Sequence, residues 1–182
     1  MPTTRPSKRR WRSIRARAKV SEALAKGYML GFESSSDHRS THISYGNVWT
    51  ADSTRQGILN ALAKRRVYAS TDLILADVRM GDHFMGEEFT MIGPPTLSVT
   101  LKGTAPFTEV VVVKDGAQVF ATSGGSSLSF TWQDKDVPPG KRSYYYIRGL
   151  QQGPPLTTFP CETNRRTSGA VVWTSPMWVT VK

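Results

Sequence analysis

Residues 95–133 read PTLSVTLKGTAPFTEVVVVKDGAQVFATSGGSSLSFTWQ, and this stretch decides the fold. Leu97, Val99 and Leu101 alternate with Ser98, Thr100 and Lys102, the period of two expected of a strand with one buried and one solvated face. Leu128, Phe130 and Trp132 alternate in the same way with Ser127, Ser129 and Thr131. Between them lies a valine-rich run, Glu109 to Lys114, then Lys114-Asp115-Gly116-Ala117 as a hairpin turn, then Val119-Phe120-Ala121 as the answering strand.

The pattern continues toward the C-terminus. Pro138-Pro139-Gly140 turns into a strand over Ser143 to Arg148, where alternation sends Tyr144 and Tyr146 to one face and Tyr145 to the other. The last strand is split by Pro176, with Val171-Val172-Trp173 before it and Met177 to Val181 after it. About six short strands separated by turn signals predict an antiparallel β-sandwich over residues 94–182. The polar, proline-rich stretch between Gly153 and Gly169 reads as a surface loop. It holds Cys161, the single cysteine, so neither an internal disulfide nor a thiolate metal cluster can form.

Toward the N-terminus the pattern changes. Ser13 to Ala25 is rich in helix formers, and Gly27 is placed to end a helix. Tyr28-Met29-Leu30-Gly31-Phe32 reads as a buried strand, and residues 39–52 as a loop. Asp52-Ser53-Thr54 offers an N-cap for a helix carrying Ile58, Leu59 and Leu62 and ending near Arg65. Val67-Tyr68-Ala69 and Leu73 to Val78 follow as strands, with Gly81 and Gly86 as punctuation. The expected class is therefore α+β: a basic arm over 1–19, a short α/β segment over 20–93, and the sandwich over 94–182.

The net charge of +10 is unevenly placed. Residues 1–19 hold eight of the positive charges and no acid, which leaves only +2 for the rest of the chain. Such an arm is a candidate for nucleic acid binding by phosphate neutralisation, or a solvated tail. No run approaches the length of a membrane span, and the N-terminus lacks the apolar centre of a secretory signal, so the sequence assigns no compartment.

One constellation carries chemistry. Ser36-Asp37-His38-Arg39-Ser40-Thr41-His42 follows directly on the apolar Tyr28–Phe32 run. Carboxylate and imidazole are ligands of zinc, manganese or iron. Adjacent Asp37 and His38 share a site only where the chain has left extended geometry, and His42 joins them only if the segment coils. The spacing equally allows a capping or hydrogen-bonded pair. Elsewhere, His83 reads as a turn histidine and Glu87-Glu88 as a solvated pair. Ser34-Ser35-Ser36 lacks the elbow pattern of a serine nucleophile.

The string SSDHRSTHISY, residues 35–45, resembles the late metal-binding region of PHP-like metal-dependent hydrolases, the group that includes CehA/McbA-type enzymes. The likeness runs on through Thr54 to Leu62, Arg65 to Asp72, Met85-Gly86-Glu87-Glu88 and the terminal Ser175 to Val179. The resemblance implies a distorted (β/α) barrel with metal at the carboxyl ends of its strands. It implies Asp37 and His38 as metal ligands, His42 as a ligand neighbour or substrate contact, and Arg39 and Arg55 as holders of an anionic small-molecule substrate. The chain departs from that pattern in having no residue between Asp37 and His38. Its only histidines are His38, His42 and His83, with no His-x-His element. About 75 residues before the sandwich are also too few for a barrel of roughly 200. The resemblance therefore implies the C-terminal part of a longer hydrolase, inactive alone and with weak or no metal binding of its own.

Overall fold

The computed structural model describes residues 20–36, 44–153 and 169–182. The strands are β1 (Tyr45–Val48), β2 (Val67–Ser70), β3 (Leu75–Met80), β4 (His83–Phe84), β5 (Glu88–Met91), β6 (Thr96–Lys102) and β7 (Phe107–Lys114). They continue as β8 (Ala117–Gly124), β9 (Ser127–Gln133), β10 (Arg142–Gln151), β11 (Val171–Thr174) and β12 (Met177–Val181). Two short helices, α1 (Val20–Ala25) and α2 (Arg55–Ala63), complete the described elements. The fold is β-rich α+β and mostly antiparallel, with one parallel pair, β12 with β5.

The strands form two sheets. One runs β1-β2-β11-β10-β12-β5, with β7 and β8 added on the other side of β10; the second runs β4-β3-β6-β9. Their facing sides share one core. Ala76, Val78 and Met80 of β3 and Leu97, Val99 and Leu101 of β6 meet Val110, Val112, Tyr145, Ile147, Val172, Met177 and Val179 of the larger sheet. Each fully buried valine, leucine, isoleucine or methionine side chain of this kind stabilises the fold by about 1.5–3 kcal/mol relative to exposure. Strands from before and after Pro94 are interleaved in both sheets, so the expected boundary at 93/94 crosses a shared core.

The alternating stretches form the strands their patterns predict. β6 pairs with β9 from Thr96↔Gln133 to Lys102↔Ser127. The Asp115-Gly116 turn has φ of 49° and 85°, the two left-handed residues of a type I′ hairpin. The split last strand is also present: β12 pairs with Arg142–Tyr145 of β10, and β11 with Arg148–Leu150 farther along it. At the break, the Ile147 amide donates to the Thr174 hydroxyl (2.9 Å), which replaces a ladder partner. The interruption forks the sheet, because β2 flanks β11 while β5 flanks β12.

Three expectations need correction. Tyr28–Phe32 is not a strand, and Tyr28 is 61% exposed. The reason is that β2 is already paired on both sides by β1 and β11, and β12 by β10 and β5, which leaves no edge for it there. Residues 39–52 are not all loop, since Tyr45–Val48 pairs antiparallel with β2. That pair, bridged by α2, differs from the parallel unit of an α/β barrel. Finally, Glu87 and Glu88 are not alike: Glu87 is partly buried and bonds Arg66 (2.9 Å), while Glu88 stays exposed and bonds Arg142 (2.7 Å). Parts of the predicted helix (13–19) and the predicted loop (154–168, with Cys161) lie outside the described residues.

Candidate metal-site edge

The segment leading to the candidate ligands is a tether rather than a strand. Gly27, whose φ of +86° suits glycine, turns the chain after α1, and the Gly27 and Tyr28 amides donate back to Leu24 and Ala23. Leu24, Tyr144 and Trp178 then form a second small core on the outer face of the larger sheet, with Met29, Phe32 and Tyr146 against it. This places Tyr144 and Tyr146 together, with rings stacked, and turns Tyr145 into the main core, as alternation predicts.

Serine hydroxyls fix the tether. The Phe32 amide donates to the Ser175 hydroxyl (2.8 Å), which itself donates to the Val67 carbonyl (2.6 Å). Ser175 is fully buried at the break between β11 and β12, so one side chain joins the split strand, β2 and the tether. Farther along, the Ser34 hydroxyl donates to the Tyr45 carbonyl (2.9 Å). Gly46 permits this approach, because a Cβ there would lie 3.1 Å from the Ser34 carbonyl oxygen.

Ser36 closes the tether onto β1. Its hydroxyl donates to the Ser44 carbonyl (2.8 Å) and accepts from the Ser44 amide (3.0 Å). One side chain thus joins the two residues that flank 37–43. Asp37, His38, Arg39 and His42 all fall in that stretch and lie outside the described residues. The edge beneath is cross-braced: Asn47 Nδ2 donates to the Tyr68 carbonyl and the Ser70 hydroxyl, and Ser70 donates to the Asp72 carbonyl. The Asp72 carboxylate accepts from the Leu73 amide (2.7 Å) and the Thr104 hydroxyl (2.6 Å). Buried and engaged on both oxygens, Asp72 serves the loop and not a ligand.

Arg55 is the exposed first residue of α2. Thr54 caps that helix, accepting from the Gly57 amide (3.1 Å). The Asp52 carboxylate accepts from the Thr54 hydroxyl and amide, which lowers its pKa. His83 lies on β4, stacked on Phe89 with ring centroids 3.6 Å apart, its Nδ1 3.1 Å from Glu87 Oε2. Burial pushes the Glu87 carboxyl up, but hydrogen bonds from His83 and Arg66 outweigh it and hold the pKa below the ordinary value. Among the described residues no group of three or more His, Cys, Asp or Glu is arranged to hold a metal ion. Nor does any described helix have the length and apolarity to cross a membrane.

The sequence reading missed Ser36, Ser44 and Ser175 as the fixing residues. The serine run before Asp37 was the available signal, read there only for a nucleophile. No family model matches the chain, and neither a curated protein nor a solved structure matches it.

Proposed function

We propose that this chain is the C-terminal part of a PHP-like metal-dependent hydrolase acting on an ester, amide or phosphoester. The observation that carries the reading is the Ser36–Ser44 clamp at the base of the SDHRSTH string. Flanking residues bonded to each other on a braced sheet edge suit a ligand-bearing string between them, because ligand geometry must be supported by surrounding hydrogen bonds. Asp37 and His38 would hold a divalent metal, with His42 beside them and Arg39 and Arg55 steadying an anionic substrate. The donor chemistry fits zinc, manganese or iron. A bound metal supplies an activated water and a polarised substrate oxygen. The remaining ligands would come from barrel strands outside this chain.

The test is the reading frame upstream. A continuous frame encoding a His-x-His element, whose product shows metal-dependent turnover lost in Asp37→Ala, is the expected result. A product of that frame with no metal dependence would refute the proposal.

The charge distribution favours a second reading, a β module that binds an anionic polymer through residues 5–19, where eight cations stand without an acid. Binding to a nucleic acid duplex that weakens steeply with salt, with no metal affinity, would favour it over the hydrolase.

A further inference from the structure

The outer face of the larger sheet is only partly covered by α1 and the tether. Between them lies a cavity of about 470 Å3. Its walls include Leu24, Leu30, Phe32, Tyr146 and Trp173, and among the described residues Glu33 is the only charged side chain lining it. The Phe32 and Tyr146 rings meet edge to face, with centroids 5.3 Å apart and planes at 73°, so they form an aromatic corner. Trp173 stands on β11 as a further aromatic wall. The neighbouring cation on β10, Arg148, is held by Glu109 at 3.1 Å. Among the described residues no ion pair engages Glu33.

We propose that this cavity binds an organic cation, a quaternary or alkylated ammonium carrying an apolar group. Three features select that chemistry. Aromatic faces attract a weakly hydrated cation through their quadrupoles. Glu33 adds a negative charge at the same cavity and repels anions. The volume lies within the range of about 300–1,000 Å3 typical of small-molecule sites. The proposal uses no residue of the 37–43 stretch and is independent of the hydrolase reading.

Calorimetry of the full chain with benzyltrimethylammonium tests it. One saturable site is expected, with no binding of phenylacetate, an anion of similar size. Trp173→Leu should weaken binding by about fivefold to thirtyfold, the range of a desolvated cation–aromatic contact. Glu33→Gln should weaken it severalfold at low salt and less at high salt. Circular dichroism checks each fold, and Phe32→Leu replaces Trp173→Leu if that variant unfolds. Absence of saturable binding overturns the proposal, as would follow if residues 1–19 or a second copy fill the cavity. Equal binding of phenylacetate, or unchanged affinity in both the aromatic and the Glu33 variants, also overturns it.

Discussion

Asp134→Ala should be among the most damaging single substitutions outside the apolar core. Asp134 follows β9 in the smaller sheet and is 4% exposed. Its carboxylate accepts from the Tyr145 hydroxyl at 2.8 Å and pairs with Lys114 Nζ at 2.5 Å. Those two partners face each other on β10 and β7 of the larger sheet, so one carboxylate staples the sheets together. Removing one member of a buried ion pair costs about 3–5 kcal/mol. The low end applies, because Lys114 keeps the Asp136 carbonyl at 2.9 Å and its side chain is 14% exposed. For a chain of this size, a loss of about 3 kcal/mol lowers Tm by about 6–12 °C.

The effect must depend on pH in one direction. Burial pushes the Asp134 carboxyl up, but hydrogen bonds from Lys114 and Tyr145 outweigh it and hold the pKa below the ordinary value. A group depressed in the folded state contributes its stability above the unfolded pKa of about 3.9 and loses it as pH falls through the lower folded value. Urea unfolding followed by tryptophan fluorescence at pH 7, 5 and 3 should therefore show the gap between wild type and Asp134→Ala narrowing only below about pH 4. A gap under about 1 kcal/mol at pH 7, or one that persists unchanged once the carboxyl is protonated, would refute the staple.

Three further outcomes are expected. Deleting residues 1–19 should leave Tm nearly unchanged while removing most nucleic acid binding; a large drop in thermal stability would contradict the assignment of the arm. Ser175→Ala removes the acceptor of the Phe32 amide, so it should cost about 1–3 kcal/mol and speed hydrogen exchange at Phe32; unaltered exchange there would show that the tether is fixed by other means. The chain alone should not turn over generic phosphoesters or carboxyl esters efficiently with zinc or manganese. Robust turnover abolished by Asp37→Ala would mean that its ligand set is already complete.

The strands with one wet face were legible because alternation reports burial directly: β6 and β9 follow from Leu97, Val99, Leu101 and Leu128, Phe130, Trp132. The turn at Asp115-Gly116 and the break at Pro176 were legible because backbone chemistry dictates them. What periodicity cannot report is which strands become neighbours. Tyr28–Phe32 is as apolar as β2, yet it pairs with no strand, whereas Tyr45–Val48, with Gly46 and Asn47, takes the free side of β2. The interleaving of early and late strands rests on pairings such as Trp173↔Ala69 and Trp178↔Glu88, far apart in sequence. At the candidate site, Asp37 and His38 were singled out by residue type alone, and they lie outside the described residues. The hydroxyls of Ser36 and Ser175 were not legible, because their partners at Ser44 and Val67 are set by the fold. The Asp134–Lys114–Tyr145 staple escaped notice for the same reason.

The most direct test of the central claim is zinc and manganese binding to the purified chain by calorimetry, compared with Asp37→Ala and His38→Ala. Two or three ligands leave coordination positions to water, so weak but saturable binding is expected that both variants abolish, with secondary structure unchanged. Binding that survives in both variants, or no saturable binding of either metal, would contradict it.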